Sequence, residues 1–213
     1  MAFHYPNGTP YSNHETPKQK KQVKKHKSIQ FGKRGMDFEE EINKSNAYYL
    51  LHSKAVVHKK PTPVQIVKVD YPKRSAAVIK EAYFRQASTT DYNGVYNGFY
   101  LDFEAKETQN KTSFPFKNFH EHQIEHFKQC LAQKGICFVL LWFSSLNRCF
   151  FLSGEKLVTY WSEQKSTGKK SLSLLTIETN GIEIPIGIAP RVPYLGAVDQ
   201  HIQSNKGVVI NDN

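Results

Sequence analysis

The chain has 213 residues, of which 39% are hydrophobic and 13% aromatic, enough to bury a real core in one domain with an appended arm. Its longest wholly apolar run, Ile136 to Phe143, is far too short to span a bilayer, and the opening MAFHYPNGTP lacks the apolar stretch of a secretory signal, so membrane and exported classes are set aside and the cytoplasm is the expected compartment. The formal net charge is +10, and residues 1–35 supply +7 of it, with eight Lys/Arg against the single acid Glu15, so a basic arm suited to phosphate contact precedes a nearly balanced body.

Residues 1–33 combine three prolines, many polar side chains and the run Lys18-Gln-Lys-Lys-Gln-Val-Lys-Lys-His-Lys27, which offers nothing to offset the entropy of ordering a chain, so disorder is expected there. From Met36 the pattern turns helical: Met36, Phe38, Ile42 and Tyr49–Leu50 form a stripe, with acids early where the helix dipole favours them, predicting a helix over 36–52. Lys59-Lys-Pro-Thr-Pro stops it, and Val64 to Val69 reads as a strand. Tyr71-Pro-Lys-Arg is a basic turn, and residues 75–84 suit either a short helix capped by Ser75 or a returning strand.

Asn97-Gly98 is a strong hairpin signal, and Asn93-Gly94 is a second possible turn. Two antiparallel strands are expected, one ending near Asp91 and one over about 99–107. Phe119 to Lys134 reads as a helix stopped by Gly135, with Ile124, Phe127 and Leu131 on one face. Ile136–Phe143 and Arg148–Leu152 read as buried strands joined by Ser-Ser-Leu-Asn, and Gly154–Gln164 as a helix followed by the basic loop Lys165 to Lys170. Pro185, Pro190 and Pro193 argue for a tail that is mostly loop, with at most a short helix near 195–203 and a flexible end over 204–213. Cys130, Cys137 and Cys149 form no C-x-x-C pair and sit among apolar residues, so they read as buried thiols in a reducing compartment rather than as a structural zinc site.

The chemistry concentrates on Leu101-Asp-Phe-Glu-Ala-Lys106. On a strand, Asp102, Glu104 and Lys106 share one face while Leu101, Phe103 and Ala105 turn into a core. Alone, this is commonly a solvated face with a salt bridge. Asp91, thirteen residues before Glu104, adds a second carboxylate that a hairpin can return beside the first. Two carboxylates with a neutral oxygen from Thr89 or Gln123 suit a hard cation such as Mg²⁺, which activates water and neutralises phosphate charge, while Lys106 stabilises the developing negative charge or orients the water.

The Asp…Glu-x-Lys arrangement is similar to the PD-(D/E)xK nucleases. The surrounding text is more specific: His58-Lys-Lys-Pro-Thr-Pro-Val-Gln-Ile-Val, Tyr71-Pro-Lys-Arg-Ser-Ala-Ala-Val-Ile-Lys-Glu-Ala-Tyr-Phe, Ser88-Thr-Thr-Asp-Tyr-Asn-Gly, Asp102-Phe-Glu-Ala-Lys-Glu-Thr, Lys111-Thr-Ser-Phe-Pro and His122-Gln-Ile-Glu-His resemble RecU-type Holliday-junction resolvases over about residues 30–195. The resemblance implies an α/β fold of restriction-endonuclease type, a mixed sheet flanked by helices, with the nuclease domain over 34–203 and a stalk over about 57–85. It implies a homodimer that nicks four-way DNA junctions symmetrically in recombination and repair, using Mg²⁺ with Mn²⁺ as substitute. It places the metal on Thr89, Asp91, Glu104 and Gln123, with Lys106 as transition-state stabiliser and Glu39 and Asp102 as outer participants. Arg74 would contact DNA at the branch point, and Lys59, Lys60, Lys73, Lys80 and Arg85 make the stalk basic. The RecA recombinase and a branch-migration motor are partners implied by the family alone. Thr90 stands where the superfamily pattern has proline, which removes no ligand.

Three other readings compete. A non-cleaving junction-binding or strand-annealing protein on the same fold has no use for carboxylates facing phosphate. A restriction-type enzyme cutting duplex DNA shares the same site. His122-Gln-Ile-Glu125-His126 matches the short H-x-x-E-H pattern of inverzincin peptidases, but that match leaves Asp91, Glu104, Lys106 and the basic arm unexplained. Tyr83, Phe84, Tyr92, Tyr96 and Tyr100 can stack on unpaired bases, with ordinary strand packing the commoner use of any one of them.

Overall fold

The structure, a computed structural model, describes residues 36–71, 77–85 and 89–208. The expected behaviour of the arm, and the expected DNA contacts of Lys73 and Arg74, lie outside the described residues. In chain order, α1 (Met36–Leu51) leads into β1 (Val56–Lys59), β2 (Val64–Asp70) and β3 (Val78–Phe84). The hairpin β4 (Tyr92–Tyr96) and β5 (Phe99–Thr108) follows, then β6 (Ser113–Pro115), a short turn of 3₁₀ helix and α2 (Glu121–Ala132). The second half comprises β7 (Ile136–Phe143), β8 (Arg148–Ser153), α3 (Gly154–Thr167), β9 (Ser171–Ser173), α4 (Leu174–Asn180), β10 (Ile182–Ile184) and α5 (Leu195–Val208). No described helix is long and apolar enough to cross a membrane.

Six strands form one mixed sheet in the order β1-β4-β5-β7-β8-β10, in which β5 and β7 are parallel and the other neighbours antiparallel. This is the mixed sheet flanked by helices that the sequence led us to expect. Period-2 alternation along β7 sends Ile136, Phe138 and Leu140 to one face and Cys137, Val139, Leu141 and Phe143 to the other. The first face packs on Phe38, Ile42 and Tyr49 of α1 and Val198 of α5. The second packs on Ile124 and Phe127 of α2, Leu157 of α3 and Ile177 of α4. Tyr92, Phe103, Phe138 and Phe151 stack in succession across four strands, with ring centroids 4.9, 4.6 and 4.7 Å apart, each contact worth about 0.5–1.5 kcal/mol beyond its buried area.

β2 and β3 pair only with each other. Every residue of β3, and every residue of β2 except Val69, is exposed. Residues 78–84 therefore take the strand option. Of the stretch 57–85, β1 belongs to the edge of the main sheet and the β2–β3 hairpin stands apart.

Three expectations are corrected. Asp91 precedes β4 instead of ending a strand, and Asn93-Gly94 lies inside β4. The reason is close approach: a Cβ on Gly94 would sit 2.2 Å from the Val56 carbonyl oxygen of β1. The turn falls at Asn97-Gly98, whose φ values of 48° and 83° suit the twist of a tight hairpin. The tail holds more structure than its prolines suggested. Ser173 caps α4 by accepting from the Thr176 amide at 3.0 Å, β10 pairs with β8, and all three prolines fall in the connector before α5. That connector is tied to α1, since Tyr194 donates to the Asn46 side-chain oxygen at 2.7 Å and the Val192 amide donates to Ser45 at 3.2 Å.

Gly94→Ala is expected to lose about 1–3 kcal/mol by forcing β1 from the sheet edge. Urea denaturation checks this, and an unchanged midpoint would mean that β1 tolerates the displacement.

Candidate active site

β5 is the strand on which the site is built. Its register with β4 pairs Tyr92 with Phe103 and Asn93 with Asp102, so one further step sets Asp91 beside Glu104. Leu101, Phe103 and Ala105 enter the α1-side core, and Asp102, Glu104 and Lys106 take the other face, as alternation predicts. There they meet α2, which runs the opposite way: Gln123 reaches Glu104 and His126 reaches Asp102.

Glu104 is fully buried. Its Oε1 accepts from the Gln123 carboxamide at 2.6 Å. Its Oε2 lies 2.9 Å from the Lys106 ammonium in an ion pair, yet it has no hydrogen-bond partner among the described residues. Burial pushes the Glu104 carboxyl up to about 8; the Lys106 charge opposes that rise, and direct contact with the Asp91 carboxylate adds to it. Two carboxyl groups in contact are tenable without a cation only if a proton lies between them. An unsatisfied buried oxygen, a second carboxylate against it and a lysine alongside together fit a divalent cation with oxygen ligands.

The remaining predicted ligands are disposed differently. Thr89, half-buried, donates its hydroxyl to the Thr90 carbonyl at 3.3 Å. Gln123 gives its NH₂ to Glu104, and its oxygen accepts from the His120 amide at 3.1 Å, closing the N-terminal cap of α2. Presenting that oxygen to a cation requires turning the carboxamide over and breaking both bonds.

Asp102, also fully buried, is by contrast saturated. Oδ2 accepts from Lys60 at 2.9 Å and Tyr100 at 2.7 Å and lies 3.2 Å from His126 Nε2, while Oδ1 accepts from Thr90. Lys60 also donates to the Thr90 hydroxyl at 2.9 Å, and its backbone N–H donates to the Asp91 carbonyl at 2.7 Å. Lys59 pairs with Glu39 of α1. Both lysines therefore bind acids of the core domain. Lys80 pairs with Asp70 at 3.4 Å and Arg85 bonds Gln65 at 3.1 Å on the exposed hairpin.

The tyrosines divide likewise. Tyr92 is buried on Phe103, Tyr96 donates to Asp199 and Tyr100 to Asp102, while Tyr83 and Phe84 stay exposed on β3. His122 stacks on His120 with centroids 5.4 Å apart, His126 turns to Asp102, and Glu125 is exposed beside Lys128, an arrangement unlike a shared peptidase zinc.

A family model described as Recombination protein U matches residues 33–200. The chain belongs to the RecU family. A Holliday junction resolvase RecU of Latilactobacillus sakei subsp. sakei (strain 23K) is 61% identical over 211 residues, covering 98% of this chain and 100% of the relative. One from Lactiplantibacillus plantarum is 59% identical over 208 residues, with 98% and 100% covered, and one from Geobacillus sp. (strain WCH70) is 56% identical over 200, with 94% and 98% covered.

Within this RecU chain the sequence reading missed the group around Asp102: Lys60, Thr90, Tyr100, His126 and Cys130. Tyr100 and His126 had a readable signal, since Tyr100 lies at i−2 from Asp102 and His126 at i+3 from Gln123, on the same faces. Thr90, discounted as a neutral departure from proline, supplies a hydroxyl to Asp102.

A carboxyl whose folded pKa is raised binds more protons folded than unfolded, so stability falls as pH climbs from the ordinary carboxylate value of 4.5 towards about 8. In EDTA the protein is expected to lose on the order of a few kcal/mol across that window, and Glu104→Gln much less. Saturating Mg²⁺ is expected to restore the wild-type protein at the alkaline end. Melting curves across pH decide it, and identical slopes for the two proteins would remove Glu104 as the cause.

Proposed function

We propose that this chain is a Holliday junction resolvase, a divalent-metal-dependent endodeoxyribonuclease that acts as a homodimer on four-way DNA junctions in the cytoplasm. The observation that carries the reading is the buried Glu104 carboxyl, held by Gln123 and Lys106 and in contact with the Asp91 carboxyl. Mg²⁺ is the favoured ion because the donors are hard oxygens, and Mn²⁺ can take its place. When bound, the ion supplies Lewis acidity and a more nucleophilic water at neutral pH.

The residues do the rest. Asp91 and Glu104 hold the ion, with Thr89 and Gln123 as further oxygen donors. Lys106, only 18% exposed, keeps a fixed positive charge where the pentavalent phosphate gains negative charge. Hydrolysis breaks the bond from phosphorus to the 3′ oxygen, leaving a 5′-phosphate and a 3′-hydroxyl. Asp102, clamped by Lys60 and Thr90, holds the strand face and the loop carrying Asp91 in register, and Glu39 anchors β1 through Lys59.

The β2–β3 hairpin is the proposed stalk that enters the open centre of the junction. It exposes Val64, Ile66, Val67, Val78, Ile79, Tyr83 and Phe84, an apolar surface that an isolated hairpin cannot keep in water without a partner. Lys80 and Arg85 flank it, and Lys73 and Arg74 are proposed to contact the DNA as well. Two sites related by the dimer axis would nick opposing strands. The RecA recombinase and the branch-migration motor are the proposed working partners at recombination intermediates.

With an end-labelled mobile junction in Mg²⁺, paired symmetric nicks are expected on the junction and none on linear duplex. Asp91→Asn and Glu104→Gln are expected to abolish cutting while retaining the shifted complex on a native gel, and Lys106→Ala to slow cutting by about 10²–10³. Cutting by either acid variant refutes the site, and a shifted but uncut junction with the wild-type protein favours the binding-only alternative. Deleting residues 1–33 is expected to weaken binding and flatten its salt dependence, because fewer counterions are released. An unchanged slope would leave the arm no part in DNA binding.

A further inference from the structure

A second cluster lies on the same strand face, two residues from Glu104. Asp102 of β5 and His126 and Cys130 of α2 each turn one donor atom to a common point. His126 Nε2 lies 3.2 Å from Asp102 Oδ2 and 3.5 Å from Cys130 Sγ, and the three atoms lie within 4.8 Å of one another. A tetrahedral ion with bonds of about 2.0–2.1 Å to N and O and about 2.3 Å to S sets its ligand atoms roughly 3.3–3.7 Å apart. Both His126 separations are already close to such edges, and the third pair of donor atoms lies within 4.8 Å.

The same distances fit poorly to hydrogen bonding alone. Oδ2 of Asp102 already accepts from Lys60 and Tyr100. One ring nitrogen cannot serve both the carboxylate and the sulfur with one proton. His126 and Cys130 follow one another at i and i+4 on the helix, and both are half-buried at the wall of a cavity of about 550 Å³ lined also by Tyr100, Gln129 and Gln133. That cavity leaves a fourth position open to an outside ligand.

We propose that Asp102, His126 and Cys130 form a binding site for a thiophilic divalent cation of the Zn²⁺ class, separate from the oxygen-lined site of Asp91 and Glu104. The donor sets sort the ions: imidazole and thiolate select Zn²⁺, and carboxylates without nitrogen or sulfur suit Mg²⁺. On binding, the Cys130 thiol gives its proton to solvent and the ion takes the place of the Lys60 ammonium on Asp102. Lys60, with its side chain 20% exposed, has room to turn outward. Because Lys60 also holds Thr90 and the Asp91 backbone, occupancy of this site reaches the loop that carries the nuclease carboxylate.

The test uses the full-length, metal-free protein with Co²⁺ as a spectroscopic probe and Zn²⁺ as competitor. A thiolate-to-cobalt charge-transfer band is expected at one equivalent per chain, displaced by Zn²⁺. The band is expected to vanish in Cys130→Ser, to need about 10- to 100-fold more Co²⁺ in His126→Ala, and to persist in Glu104→Gln. Stoichiometric Zn²⁺ is also expected to protect Cys130 from alkylation, read by mass spectrometry on the wild-type protein, so the assignment does not rest on the variants folding. Absence of the band, its survival in Cys130→Ser, or alkylation of Cys130 at the same rate with and without Zn²⁺ overturns the proposal. None of these outcomes depends on nuclease activity.

Discussion

Burying two carboxylates, Asp102 and Glu104, in the middle of a sheet is the constraint from which the rest of this structure follows. Each buried charge costs several kcal/mol unless it is paired and hydrogen-bonded. The chain meets that cost unequally. Asp102 is surrounded by Lys60, Thr90, Tyr100 and His126, drawn from the chain before β2, the loop before β4, β5 itself and α2. Glu104 receives one hydrogen bond at Oε1 and, at Oε2, only the Lys106 ion pair. A network that fully serves one acid and leaves its neighbour short concentrates the remaining electrostatic demand at a single atom. The Glu104 carboxyl also contacts that of Asp91, where a divalent ion would relieve both groups.

The geometry that permits this is a match of two periodicities. On β5 the positions 100, 102 and 104 share a face at intervals of two residues, and on α2 the positions 123, 126 and 130 share a face at intervals of three and four. Laid antiparallel, they bring Gln123 to Glu104 and His126 to Asp102. The reverse face of β5 is fixed by the aromatic stack of Tyr92, Phe103, Phe138 and Phe151, so the acids project from a backbone held on both edges by neighbouring strands. Chemistry on such a strand has little room to drift, and small displacements are costly to catalysis.

This explains what could be read in the sequence. The alternation of Leu101-Asp-Phe-Glu-Ala-Lys106 is local, and it placed all six side chains on their correct faces. The turn at Asn97-Gly98, α1, α2 and the β7–β8 pair were legible for the same reason, since period and punctuation lie within each segment. The misreadings concern choices made between segments. Nothing near Gly94 says that β1 will approach it, so Asn93-Gly94 resembled a turn. Three prolines made the tail read as loop because the pairing of β10 with β8 is non-local. Lys60 was grouped with the stalk by its neighbours in sequence, whereas its ammonium finds Asp102 forty-two residues on. The family resemblance implies the full ligand set, and physical reasoning alone reaches the carboxylates, the lysine and a neutral oxygen from either Thr89 or Gln123.

The exposed β2–β3 hairpin stands in contrast to this economy. The core domain pairs most of its buried polar groups, while β2 and β3 leave seven large apolar side chains in solvent, Phe84 at 84% exposure. Two strands with no sheet or helix against them are marginal by themselves. A surface of that kind persists when its bound state contributes what its free state lacks. If the hairpin is the proposed stalk, the opened centre of a four-way junction would offer base faces to Tyr83 and Phe84 and phosphates to Lys80 and Arg85, whereas a linear duplex stacks its bases out of reach. On the proposed reading, substrate choice would belong to the hairpin, and Asp91 with Glu104, which any phosphodiester could satisfy, would decide only that a bond is cut.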